Sequence, residues 1–516
     1  MKRRAPAVIL ALSLLASGCG STGPTPGPAA PSPSAAPTAP PAATSTPLAT
    51  AAPTPSASAG QAQLKWARFG RVENTGLKVP LDYGNPSAGM ITLSVARLQA
   101  GDPAHRIGTL FLNPGGPGAS AVGILNWPGP KTSIPQEVFD RFDLVTWDPR
   151  GVGLSAALSC PDEATAQMLE SLDPDPSTPA ALEAYRATHE DMAAQCQKTG
   201  AAILPYLSEA NTARDMDAIR AALGETTISY LGWSYGTYLG YLYATLFPSH
   251  LRAAVLDGPV DPVQDLLGRT VSQGRGFDAA FANFLALCAK TRDCAFHGGG
   301  SPAKAYDALI AKLPRSASGT ALDAGQAVQG VANWLYGSDF AGLATALASA
   351  ERGDGSSLQA SAAAYYQILP VGAYHATVCL DVSHPATAAA VAAALLTVRS
   401  AAPRFGPSGA AADLYGCLPW PVPAQPVAVS EPPAGLPPIL VVASTRDPAT
   451  PPWEAAPMAK ALGTGVVLTR DGIGHTSGDS ATTNACLRTA LVAYFVTLTV
   501  PPAGTVCKDP PPSFKP

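Results

Sequence analysis

Gly232-Trp233-Ser234-Tyr235-Gly236 sets a serine between two glycines where a β-branched run passes into a helix-like one. A strand that turns straight into a helix leaves no room for side chains at the flanking positions, and it lifts the serine hydroxyl to the end of the sheet as a nucleophile. The N-terminus of the helix that follows brings a positive dipole end and free N–H groups to the same point. A hydroxyl attacks only if a base takes its proton, and the base needs an acid to fix its tautomer. His475, in Gly472-Ile473-Gly474-His475-Thr476, is the expected base; it is one of 7 histidines, and His375 and His384 fall in helical sequence instead. Asp447, shortly after the apolar run Ile439 to Ala443, is the expected acid, with Asp257 at the end of an earlier run as the substitute. Asp471 is nearer His475 in sequence, but it precedes the loop that must reach Ser234.

Asn113-Pro114-Gly115-Gly116-Pro117-Gly118 follows another apolar run, where a second oxyanion donor belongs. The expected donors are the N–H groups of Tyr235 and Gly115, with Gly116 as alternate. A phosphate-cradling loop would need Lys-Ser or Lys-Thr after the glycines, and none follows. In Trp147-Asp148-Pro149-Arg150-Gly151 the two charges read as a buried brace for neighbouring loops rather than as catalysts. This chemistry calls for neither metal nor cofactor.

Such residues must be carried on the ends of strands. From Lys65 onward short apolar runs alternate with helical stretches, the pattern of a parallel sheet with crossover helices, so the fold class is α/β. Expected strands are 91–98, 109–113, 142–147, 227–232, 253–257, 439–443 and 466–469; most are apolar throughout, as strands covered on both faces should be. Between residues 262 and 433 the apolar residues recur at helical spacing, as in Phe277, Phe281, Phe284, Leu285 and Cys288. This stretch reads as a helical insertion, with helices expected over 302–313, 325–336, 340–351 and 385–400. It divides the folded part into 65–261, the insertion 262–433, and 434–516.

Residues 1–19 combine a basic start, an apolar run too short to span a bilayer, and small residues before Cys19, which marks an export signal. Ala16-Ser17-Gly18-Cys19 is similar to a bacterial lipobox, so lipidation of Cys19 is expected, giving an envelope lipoprotein or a freely secreted chain. A membrane is met only through that anchor. Residues 20–64 form a tether: Gly20 to Gly60 includes 11 Pro and 12 Ala among 41 residues with no charge or aromatic, which cannot bury enough apolar surface to fold. Removing Lys2, Arg3 and Arg4 with the leader leaves 30 basic against 37 acidic residues, which argues against nucleic acid as a partner. Eight cysteines remain after Cys19, an even number in an exported chain. Loop closure costs least between near neighbours, so the expected disulfides are Cys160 with Cys196, Cys288 with Cys294, Cys379 with Cys417, and Cys486 with Cys507.

Taken together, NPGGPG, WDPRGVG, GWSYG, STRDPATP and GIGHTS resemble the secreted tripeptidyl aminopeptidases of bacteria, relatives of the prolyl aminopeptidases within the α/β-hydrolases. The resemblance spans roughly Lys65 to Cys507. It implies an α/β-hydrolase fold with a helical cap inserted before the strand that carries the acid. It also implies Ser234, Asp447 and His475 as the triad, and release of short peptides, often three residues long, from free N-termini. Prolyl aminopeptidases carry His where this chain has Asn113, which points away from release of single prolines. An envelope esterase or lactone hydrolase using the same triad, or a binding protein on the same fold, stay open. A closed cap must meet the substrate's ammonium with a carboxylate, and Asp381, beside Cys379 in a stretch similar to the family's cap, is the expected one. The competing expectation for Asp381 is a cap on the helix starting near Pro385.

Overall fold

The structure, a computed structural model, describes residues 64–125, 133–315, 321–428 and 431–514. Residues 1–19, Cys19 among them, and the tether up to residue 63 lie outside the described residues.

Ten strands form one sheet: β1 (Ala67–Phe69), β2 (Val72–Pro80), β3 (Met90–Leu98), β4 (Gly108–Asn113), β5 (Phe142–Trp147), β6 (Ile228–Trp233), β7 (Leu251–Asp257), β8 (Ile439–Arg446), β9 (Gly465–Ile473) and β10 (Val506–Lys508). Their spatial order is β1-β2-β3-β5-β4-β6-β7-β8-β9-β10. From β5 to β10 every neighbouring pair is parallel, whereas β1 to β3 form an antiparallel edge that joins the rest through β3 and β5. All residues of β4 and β5 are buried. Leu110 and Leu112 pack into the core on one face, while Phe111 between them joins the core on the other, so an unbroken apolar run serves both faces.

The expected strands all form, with ends shifted by a few residues. Three others carry weaker signals. β2 (VENTGLKVP) mixes charge, glycine and proline because it lies near the open edge, β1 is wholly exposed, and β10 spans three residues. β9 continues through the polar Arg470 and Asp471 to Ile473, so the strand ends two residues before His475.

Between β7 and β8 come eight helices, from Leu266–Lys290 to Gly406–Cys417, with an aromatic core of their own that includes Phe281, Phe284 and Phe340. The expected helix at Pro385 instead starts at Ala388, because the Thr387 hydroxyl caps it by accepting from the Ala390 N–H. Gly274 lies so close to Gly406 that a Cβ there would meet its Cα at 2.8 Å, which draws the first and last of these helices together. The helices Glu163–Glu170 and Pro179–Gly200, which leave the sheet between β5 and β6, pack beside them. The four expected disulfides all form. No helix among the described residues is long and apolar enough to cross a membrane.

Candidate active site

Ser234 follows the end of β6 with φ of +56°, a left-handed conformation that is costly for a serine. The turn tolerates no side chains beside it. A Cβ on Gly232 would meet the Gly236 carbonyl oxygen at 2.4 Å, and one on Gly236 would meet the Asn113 carbonyl oxygen at 2.6 Å. The Ser234 N–H donates to the Asp257 carbonyl at 2.9 Å, which ties the turn to the neighbouring strand. The helix Gly236–Leu246 starts directly after it.

Asp447 lies one residue beyond β8 and is fully buried. Its Oδ1 is 2.8 Å and its Oδ2 3.0 Å from His475 Nδ1. The same carboxylate accepts from the N–H groups of Ala449, Thr450 and Thr476 at 3.0, 2.9 and 2.8 Å and from the Thr450 hydroxyl at 3.1 Å. Such a set fixes the carboxylate and, through it, the ring that leans on it. His475 Nε2 is buried with no partner, which leaves the nitrogen opposite Asp447 open to a proton from a hydroxyl. Tyr336 holds the imidazole from the other side, its ring edge-on at 5.0 Å and its carbonyl accepting the His475 N–H at 2.8 Å. The substitute acid is elsewhere. Asp257 accepts from the Ser477 N–H at 2.9 Å and from the Ser477 hydroxyl, and burial pushes its pKa up to about 6. Asp471 pairs with Arg446 at 3.0 Å. His375 is engaged by the carbonyls of Val371 and Ala412, and His384 Nδ1 lies 3.5 Å from the Pro385 carbonyl.

The expected oxyanion donors divide. Gly116 and Tyr235 line one cavity with Ser234. Gly115 must be corrected: its N–H donates to Asn113 Oδ1 at 2.8 Å, so the Asn113 side chain has taken it. Glycine is still required there, since a Cβ would lie 2.7 Å from the Tyr235 nitrogen.

Asp381 also needs correction as the reader of a substrate ammonium. It is buried and absent from the cavity wall, with Oδ1 accepting the Glu209 N–H at 2.9 Å and Oδ2 the Tyr235 hydroxyl at 3.0 Å. It caps a helix, as the competing expectation held, but the one beginning at Glu209 rather than near Pro385. The carboxyls that do line the Ser234 cavity are Asp413 and Glu454. Glu454 accepts from the Asp261 N–H at 3.0 Å and from the Ser272 hydroxyl. Asp413 Oδ1 accepts from the Tyr374 hydroxyl at 3.0 Å, and its second oxygen has no partner among the described residues. Burial raises both carboxyls to about 7. The one guanidinium on this wall, Arg269, donates to the Tyr235 hydroxyl at 2.9 Å and lies over the Tyr235 and Tyr238 rings.

Other contributors carried fainter sequence signals. Arg470, inside β9, is buried against Asp509 and donates to the carbonyls of Ile473 and Thr476, bracing the loop that holds His475. Arg150 does form a buried ion pair, but with Asp215 at 2.6 Å rather than with Asp148. Asp148 accepts the N–H groups of Ala121 and Leu154 and so steadies two loops. Asp413 is the one acid in an otherwise uncharged helix, four residues before Cys417, which is the signal that marks it in retrospect. No group of three or more His, Cys, Asp or Glu among the described residues could hold a metal ion.

Comparison with known proteins places this geometry among relatives. Residues 402–507 match the family described as TAP-like protein, and residues 108–299 match the alpha/beta hydrolase fold. The chain is 36% identical over 463 residues to serine protease Hip1 of Mycobacterium tuberculosis, covering 84% of this chain and 86% of that one. It is 32% identical over 451 residues to a tripeptidyl aminopeptidase of Streptomyces coelicolor, covering 84% and 81%. A carboxylesterase B of Mycobacterium tuberculosis is 33% identical over 467 residues, covering 87% and 88%.

Proposed function

We propose that this serine hydrolase, which belongs to the TAP-like group of the α/β-hydrolases, is an exported exopeptidase that releases short peptides, three residues long by preference, from free N-termini. Ser234 Oγ attacks the scissile carbonyl while His475 Nε2 takes its proton, and Asp447 keeps the other imidazole nitrogen protonated and stabilises the charge that forms. The oxyanion settles on the N–H groups of Tyr235 and Gly116, each such donor worth roughly 3 to 4 kcal/mol of barrier. His475 then returns the proton to the leaving amine, and water repeats the sequence on the acyl-enzyme.

The observation that carries the exopeptidase reading is Asp413. A peptide's α-amino group is largely protonated at neutral pH, and a closed cap that desolvates it must supply a carboxylate. Asp413 is half-buried, keeps one oxygen without a partner among the described residues, and shares a wall with Ser234. An esterase needs an apolar tunnel at this place and has no use for that charge. Export is supported by four disulfides, which persist in oxidising compartments, together with the leader pattern and the lipobox-like Cys19.

The test is a panel of peptide anilides of one, two and three residues, each with a free and an acetylated N-terminus, beside p-nitrophenyl esters and a fluorophosphonate. The reading expects hydrolysis of the free peptides and labelling of Ser234. Ester hydrolysis with no peptide turnover would favour the esterase, and absence of labelling would favour a binding protein.

A further inference from the structure

The side chain that follows the nucleophile is held by two opposite charges from the cap. Tyr235 is buried, and its hydroxyl accepts from Arg269 Nη1 at 2.9 Å and donates to Asp381 Oδ2 at 3.0 Å. Arg269 comes from the helix Leu266–Lys290 and Asp381 from the end of the helix Val371–Asp381, so two cap helices meet at one oxygen. The guanidinium also covers the ring, with Cζ 5.3 Å from the Tyr235 centroid, and Tyr238 packs against the same ring at 5.4 Å. Arg269 Nε and Nη2 are buried without a partner. A core tyrosine needs only one acceptor for its hydroxyl, and a main-chain carbonyl can supply it, as the Gly236 carbonyl does for Tyr230 at 2.7 Å. Tyr235 instead engages a charged donor and a charged acceptor, whose hydrogen bonds are the stronger kind and whose burial is costly.

What this hold fixes is the main chain of the catalytic turn. Ser234 sits at φ +56°, a conformation that persists only where the surroundings over-determine it. On one side of it, the Ser234 carbonyl accepts from the Thr237 N–H at 2.9 Å and from the Thr237 hydroxyl at 2.6 Å. The Tyr235 N–H, by contrast, has no acceptor among the described residues, and it borders the 113–118 loop so closely that a Cβ on Gly115 would lie 2.7 Å from the nitrogen. With no bond of its own to aim it, that N–H takes its direction from the rest of its residue.

We infer that Arg269 and Asp381 are positioning residues that aim the Tyr235 N–H at the oxyanion through the Tyr235 hydroxyl. The inference rests on the proposed place of the oxyanion. A donor helps only in alignment, since a hydrogen bond weakens steeply as its angle closes. Every substrate of Ser234 passes through an oxyanion, so this pair acts on ester and peptide alike, whereas Asp413 acts on the substrate's terminus.

The experiment measures kcat and KM for p-nitrophenyl acetate and for a free tripeptide anilide in the unmodified protein, Tyr235→Phe, Arg269→Met and Arg269→Lys, with thermal unfolding of each followed by circular dichroism. Tyr235→Phe keeps the ring and its packing. It is expected to lower kcat about tenfold or more on both substrates, with KM within about twofold and the unfolding transition in place. Arg269→Met should lose as much, and Arg269→Lys, which keeps a cation that can donate, should recover most of it. Affinity for a tripeptide aldehyde, whose adduct with Ser234 places an oxyanion in the hole, should fall with kcat in these variants, while affinity for the matching tripeptide alcohol holds. A kcat that stays within about twofold in both Tyr235→Phe and Arg269→Met would overturn the assignment. So would a loss confined to peptides or to KM, which would make Arg269 a substrate contact, and so would a loss of kcat with aldehyde affinity unchanged. Failure of the oxyanion reading shows separately, as unmodified protein that binds the aldehyde no more tightly than the alcohol.

Discussion

At the ends of the parallel strands the charged groups are satisfied, whereas Asp413 in the cap keeps an open oxygen. Asp447 collects three main-chain N–H groups, a hydroxyl and the imidazole, and the buried Arg150 and Arg470 each have a carboxylate partner. On the wall of the Ser234 cavity, Asp413 Oδ1 holds the Tyr374 hydroxyl and the second oxygen has no partner among the described residues. The first arrangement is set before any substrate arrives, which is what stabilising a developing charge requires. The second leaves a partly desolvated carboxyl, with Arg269 as the one cation on its wall, to which a cationic ligand can add. Chemistry thus belongs to the sheet and selection to the cap.

The widest separation between the two regions should come from the sheet. Ser234→Ala is expected to lower turnover of every substrate, ester or peptide, by about 10⁶ with the fold intact, because the triad acts as a unit. Asp447→Asn should cost about 10⁴ in kcat through the wrong imidazole tautomer. Asp257→Asn should leave the chemistry within a few fold, since its carboxylate holds Ser477 and not the base. Were steady-state assays to show Asp257→Asn as the more damaging of the two, the assignment of the acid would be overturned.

A cap substitution should instead split substrates. Removing one partner of a buried charge pair costs about 3 to 5 kcal/mol, so Asp413→Asn should lower kcat/KM for short free peptides by about two to three decades and leave small uncharged esters nearly unchanged. An equal loss on both classes would assign Asp413 to the catalytic machinery and erase the contrast.

The pH profile sharpens the same split by a smaller factor. Asp413 titrates at about 7 because burial raises it, and the ammonium it would meet titrates at about 7.7 to 8.0. Peptide kcat/KM therefore rises with pH while the carboxyl ionises, then falls once the substrate amine loses its proton. At pH 6 it should lie about tenfold below its maximum on account of Asp413 alone, and Asp413→Asn should remove that dependence. Rates on an ester measured over the same range lack both limits.

How much of this was legible in the sequence follows the same division. Ser234 and His475 sit beyond strand ends whose tight turns demand glycine, so backbone sterics wrote them into GWSYG and GIGHTS, while Asp447 was marked by its place after an apolar strand. Gly474 is one such case, at φ +95° and close against the Tyr336 and Gly337 carbonyls. Asp413 and Glu454 come from two segments that meet only in the folded chain, and each is a lone acid in an ordinary helical stretch or turn. Asp381 looked equally suitable until Glu209 and Tyr235 proved to occupy it. Gly115 was misjudged for a local reason, since the Asn113 side chain reaches back to its N–H.

The most direct measurement is the ratio of kcat/KM for one tripeptide anilide with a free N-terminus to that for its acetylated form, taken with the unmodified protein at pH 7.5. Loss of the charge that the cap carboxylates meet predicts a ratio of about 100 or more. A ratio near one, with Ser234 still required, would leave the triad chemistry standing and contradict the claim that the cap selects the substrate's terminus.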